Sequence, residues 1–143
     1  MTIKETAGKV LLYFYQLQRT VPLSMPYRQL GFIDKKNGGG VFLTSDKKWL
    51  TSNLLDINPS STDIFNAYLF LRNKGYIESR ERTTAEARIY VGIQLTDLGI
   101  DMVEGIENGD IGKQDFAAAF NIKVDSSMDI EAVIQQNLGL LVE

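Results

Sequence analysis

Asp97, Asp101 and Glu104 fall at i, i+4 and i+7 of a segment with helical patterning, which lines three carboxylates along one side of a helix. Such a set could hold a divalent cation or share a proton in acid–base chemistry. Nothing else in the sequence converges on it, and a solvated helix face explains it more simply. Ser45 and Lys48 form an S-x-x-K string of the kind some acyl-transfer enzymes use. Ser45 has a plainer role, however, as a helix N-cap with Asp46 in the first turn. Gly38, Gly39 and Gly40 run into Val41-Phe42-Leu43 without the Lys-Ser/Thr or helix start of a phosphate loop, so they read as a turn or hairpin. The chain contains no Cys and no His. Zinc sites built from those ligands, thiol redox chemistry, cysteine nucleophiles and His-based triads are thereby excluded. The residues point to no enzyme, no metal and no cofactor.

Cationic side chains carry the remaining chemistry. The net charge of −3 conceals a division along the chain: residues 1–96 hold 13 Lys/Arg and 8 Asp/Glu, residues 97–143 hold 2 and 10. A polyanion is drawn to the first segment and repelled by the second. At 143 residues, 44% apolar and 23% charged, the chain has ordinary globular composition and can bury a core without disulfides or metal. The N-terminus lacks the features of a signal peptide, and no apolar run reaches transmembrane length, so a cytoplasmic protein without a membrane partner is expected.

Several elements must position these charges. Val10, Leu11, Phe14 and Leu17 give a helix over about Lys4–Arg19, stopped by Val21-Pro22. A short helix over Asp46–Asp56 turns inward Trp49, Leu50, Leu54 and Leu55, and Asn58–Ser61 forms a turn. A second helix, Thr62–Lys74, follows, with Gly75 placed to end it in the left-handed conformation. Tyr76–Arg82 and Arg88–Leu95 read as a hairpin with its tip at Thr83–Glu86. In the second strand Ile89, Val91, Ile93 and Leu95 alternate with Arg88, Tyr90, Gly92 and Gln94. Thr96 caps a helix over Asp97–Glu107, closed by Asn108-Gly109. Phe116, Ala118, Phe120, Ile122 and Val124 alternate like a strand, and Met128–Leu138 reads as a helix with Ile130, Val133, Ile134 and Leu138 on one face.

Lys74-Gly75-Tyr76-Ile77, the charged hairpin and Leu95-Thr96-Asp97-Leu98-Gly99 occur in the order and spacing of the MarR/PadR-like winged-helix superfamily, which the chain resembles over about residues 45–107. The expected fold is α+β, mainly helical: a winged helix-turn-helix over 1–109 with an insertion at 23–43, and an acidic strand–helix extension over 110–143 for packing or dimerisation. The resemblance implies a transcriptional regulator, a homodimer, with double-stranded DNA as partner. The 62–74 helix would lie in the major groove and the hairpin would run along the backbone or minor groove. Ser60, Ser61 and Thr62 would then meet phosphate at a helix N-terminus, and Asn66 would suit adenine. Arg80, Arg82 and Arg88 would cluster at the wing, and Lys47 and Lys48 would add phosphate contacts.

One feature of the 62–74 helix opposes that role. With Ile64, Ala67, Tyr68 and Leu71 inward, the outward set is Thr62, Asp63, Phe65, Asn66, Leu69 and Phe70, which is acidic and apolar where a groove reader is polar or basic. The alternative expectation is a winged-helix protein–protein interaction module, an adaptor or phage-associated protein, that uses Phe65, Leu69 and Phe70.

Overall fold

A computed structural model describes residues 2–20, 32–35, 40–43, 61–85 and 87–138. The fold is α+β and mainly helical. Helix α1, Ile3–Thr20, begins with a reciprocal cap: the Glu5 amide donates to Thr2 Oγ1 (3.2 Å) and the Thr2 amide donates to Glu5 Oε1 (2.9 Å). That cap holds the Glu5 carboxyl below its ordinary pKa. Val10, Leu11, Leu12, Tyr13, Phe14 and Tyr15 are buried in succession, so α1 is enclosed on nearly all sides.

Strands β1 (Phe32–Lys35) and β2 (Gly40–Leu43) pair antiparallel, with Phe32 opposite Leu43 and Lys35 opposite Gly40. Helix α2, Ser61–Asn73, is followed by β3 (Ile77–Thr83) and β4 (Ala87–Leu95). The four strands make one antiparallel sheet in the order β2-β1-β4-β3. The expected two-stranded wing is thus half of a wider sheet, because part of the 23–43 insertion pairs with β4 (Phe32 opposite Tyr90, Asp34 opposite Arg88).

The end of α2 is closed as its sequence requires. Gly75 sits at φ +84°, the Gly75 amide donates to Arg72 O and the Tyr76 amide to Leu71 O, both at 3.0 Å. Helix α3, Asp97–Glu104, starts from Thr96, whose Oγ1 accepts from the Gly99 amide at 3.1 Å and donates to Gly75 O at 2.5 Å. One threonine therefore caps α3 and fastens it to the end of α2. Residues Gly105–Glu107 continue as a 3-10 turn.

Two expectations are corrected here. Uninterrupted alternation in β4 fails because Glu78 pairs with Gln94 but Arg80 pairs with Val91, leaving Gly92 and Ile93 opposite Ser79 alone. Gly92 absorbs the extra residue at φ +67°, a β-bulge that shifts the phase of the strand. Tyr90 therefore joins Ile93 and Leu95 in the core instead of facing away with Gly92 and Gln94. The second correction concerns Phe116–Val124, which does not form a strand: Asp110–Phe120 is helix α4. Phe116 and Phe120 satisfy a helical i, i+4 repeat as well as a period of two, and the three alanines between them favour helix. Burial decides between the two, with both phenylalanines fully buried and Ala118 exposed. Asn121, in the left-handed conformation at φ 54°, ends α4.

Helix α5, Ile130–Leu138, is started by Asp129, whose Oδ1 accepts from the Ala132 amide at 2.9 Å. Helices α4 and α5 both pack on α1, and Phe116, Phe120, Ile130, Val133 and Ile134 belong to the same apolar cluster as α1, α2 and the sheet. Among the described residues no helix is long and apolar enough to cross a membrane.

The α2–α3 junction is closely packed. A Cβ at Gly99 would lie 2.0 Å from Tyr76 O. Gly99→Ala should therefore destabilise the fold by about 2–3 kcal/mol, and Thr96→Ala by about 1–2 kcal/mol. Urea unfolding checks both, and an alanine at 99 with unchanged midpoint would contradict this packing.

Candidate nucleic-acid interface

Helix α2 lies between α1 on one side and strands β2 and β3 on the other. Burial on two sides explains its composition. Ile64, Ala67, Tyr68 and Leu71 are buried as the spacing requires, but Phe65, expected to point outward, is also buried. Its ring lies 5.8 Å from Tyr68 and 5.5 Å from Tyr90, so it fills the seam between helix and sheet. Leu69 and Phe70 are half-buried against the same core. Asp63, Asn66, Asn73 and Lys74 remain exposed along or just beyond the helix, and Lys74 Nζ stands 5.7 Å over the Phe70 ring.

Helix and hairpin are joined by polar contacts next to this aromatic seam. The Tyr68 hydroxyl and Ser79 Oγ hydrogen-bond across it. Arg72, in the last turn of α2, donates through Nη2 to Glu81 Oε2 at 2.7 Å, and its guanidinium lies 5.5 Å over the Tyr90 ring. The other oxygen, Glu81 Oε1, is 4.0 Å from Arg88 Nε. Glu81 thus stands between two arginines, and its hydrogen bond holds the Arg72 guanidinium above its ordinary pKa.

The candidate DNA-contacting residues are distributed around this junction. Asn66 is exposed on α2, one turn after the backbone positions of Ser61 and Thr62. Arg80 is exposed and opposite Val91, and its Nε would be 3.3 Å from a Cβ at Gly92, so its guanidinium lies across the bulge. Arg82 occupies the register position opposite Ile89. Arg88 is opposite Thr83, with its side chain 52% exposed. The pleat places Arg80 and Arg88 on opposite faces of the hairpin, with Arg88 on the face toward α2. Lys47, Lys48 and Ser60 lie outside the described residues, as do the expected helix over Asp46–Asp56 and most of the turn after it. The contribution of Arg72 was missed in the sequence. Nothing local signals a pairing between residues 72 and 81, which only the strand direction after Gly75 brings together.

The carboxylate row on α3 does not form a centre. Glu104 accepts from the Tyr15 hydroxyl at 3.0 Å, Asp97 and Asp101 are exposed, and among the described residues no three acidic groups converge as metal ligands. A cleft of about 190 Å³ between the end of α1 and α3 is lined by Tyr15, Gln18, Arg19, Ile100 and Glu104. Its polar groups are already engaged: Gln18 Oε1 accepts from the Leu95 amide at 3.0 Å, and Arg19 pairs with Glu131. Tyr13 and Phe14, beside Tyr15 in sequence, are core residues.

No protein-family profile, curated protein or solved structure matches the chain. Its reading therefore rests on its own residues.

Burial raises the pKa of the Tyr68 phenol above its ordinary 10.0, although the Ser79 hydrogen bond works the other way. Burial, then the Glu104 hydrogen bond, raises the pKa of Tyr15 as well. A raised folded-state pKa contributes stability that is complete below the ordinary value and is lost as pH climbs through the folded value. Stability should therefore fall above about pH 10. Tyr68→Phe should cost about 1 kcal/mol at neutral pH and flatten that alkaline decline. Urea unfolding between neutral and strongly alkaline pH measures both, and an undiminished alkaline slope in the variant would assign the loss to other groups.

Proposed function

We propose that this chain is a DNA-binding protein of the winged helix-turn-helix type, a transcriptional regulator that meets duplex DNA with the 62–74 helix and the 76–95 hairpin. The observation that supports this reading most directly is the joining of α2 to a cationic hairpin. Gly75, Thr96, the Tyr68–Ser79 contact and the Arg72–Glu81 pair fix the hairpin against the helix, so the two can engage a rigid polyanion together. Arg80 and Arg88 supply exposed guanidinium groups on that hairpin, Arg82 lies between them in sequence, and Asn66 offers an amide suited to adenine.

In this reading affinity comes from the wing more than from the helix, because Asp63 stands in the first turn of α2 and the helix has no cation before Arg72. Protein–protein contact through the same helix is the weaker reading, since of Phe65, Leu69 and Phe70, which it would use, Phe65 is buried and the other two are half-buried against the core. A homodimer would place two such units on successive turns of the duplex, about 34 Å apart.

Fluorescence anisotropy with duplex DNA at low salt tests the proposal. Wild-type protein should bind, with log K falling linearly against log salt. Replacing Arg80, Arg82 and Arg88 together with Ala should weaken binding at least about tenfold and reduce the salt slope by about 2–3. No binding at low salt would overturn the reading.

A further inference from the structure

Glu81 is in an unusual position for an acid on a DNA-facing hairpin. Its two carboxylate oxygens reach two different arginines, one on α2 and one on β4: Oε2 is 2.7 Å from Arg72 and Oε1 is 4.0 Å from Arg88. The trio is neither buried nor fully solvated, with side chains 35%, 32% and 52% exposed for Arg72, Glu81 and Arg88. A solute anion can reach it, yet the pairing is stronger than one at a fully open surface. The Arg72 guanidinium lies 5.5 Å over the Tyr90 ring. A carboxylate and a phosphodiester both offer a guanidinium a pair of anionic oxygens.

Resting on the DNA-binding reading above, we infer that Glu81 is a built-in competitor for backbone phosphate, a carboxylate held where a phosphodiester oxygen would otherwise engage Arg72. The wing then has two tiers of cation. Arg80 is exposed, has no carboxylate partner among the described residues, and is available to DNA directly. Arg72 engages phosphate only when Glu81 gives way. Binding is thereby attenuated without loss of the scaffold that holds helix and hairpin together.

A purely structural brace makes the opposite prediction, because weakening a brace loosens the interface and leaves affinity equal or lower. Glu81→Gln keeps the side chain's size and an oxygen that can accept from Arg72, but removes the charge. Asp101→Asn makes the same change in net charge on α3, whose exposed acid has no part in the trio. At low salt, E81Q should bind duplex DNA about tenfold tighter than wild type, with a salt slope steeper by about 1, as one further phosphate is neutralised. D101N should stay within about threefold of wild type, a long-range charge effect only. Arg72→Ala should abolish most of the gain in the E81Q background. Circular dichroism and urea unfolding confirm that each variant is folded. Should E81Q not fold, Glu81→Asp, which withdraws the carboxylate by one methylene from both arginines, should give a smaller gain of the same sign. If wild type binds and E81Q (or E81D in its place) matches D101N or binds more weakly, the competitor role is overturned and the DNA reading stands. If neither wild type nor the Glu81 variant binds DNA at low salt, both fall.

Discussion

The burial of α1 is the constraint on which the rest of the structure depends. Six successive buried residues, Val10 to Tyr15, cannot be covered by one neighbour, because a helix turns each successive side chain by about a quarter of a circle. The chain must therefore surround α1, and it does so with α2, α3, α4, α5 and β4. Among the described residues, every element that carries a candidate contact is mounted on this post directly or through α2. The hairpin itself is held to α2 by the Phe65–Tyr68–Tyr90 seam, in which the ring centroids lie 5.5–5.8 Å apart.

The same arrangement organises charge. Helices α4 and α5 belong to the acidic end of the chain and pack against α1, while the hairpin arginines sit on the sheet. The acids of the last three helices are exposed, and Lys113, one of the two cations after residue 96, donates to Ile106 O at 2.8 Å. Its ammonium thus serves a helix end and does little to offset the surrounding carboxylates. A polyanion meeting this molecule experiences an orienting field before it makes any contact.

Much of this was legible in the sequence where one local signal dominated. The apolar stripe of α1, the Gly75 stop and the Thr96 cap each act within a few residues, and the structure has all three. Legibility failed where two periods fitted equally or where a distant partner decided. Phe116 and Phe120 satisfied a strand and a helix alike, and only packing against α1 resolved them. One inward face on α2 would leave Phe65 outward, but α2 is covered on two sides. The sheet was underestimated for a related reason: the pairing of residues 32–35 with 87–90 is a long-range event that neither segment announces. Of the candidate contact set, Asn66, Arg80 and Arg88 are exposed as a contact surface requires, while the ion cluster that links helix and hairpin is visible only once β3 and α2 are side by side.

The bulge at Gly92 has a consequence for how this hairpin tolerates change. On either side of it β4 keeps two independent counts, one from Leu95 back to Ile93 tied to α3 and one from Tyr90 to the tip tied to α2. The glycine joins them like a slipped tooth between two gears. Length and composition near the tip can drift without disturbing the half that carries Thr96, and the α3 junction can be repacked without rotating Tyr90 out of its seat. A strand of uniform alternation would transmit any such change along its whole length. This one confines it.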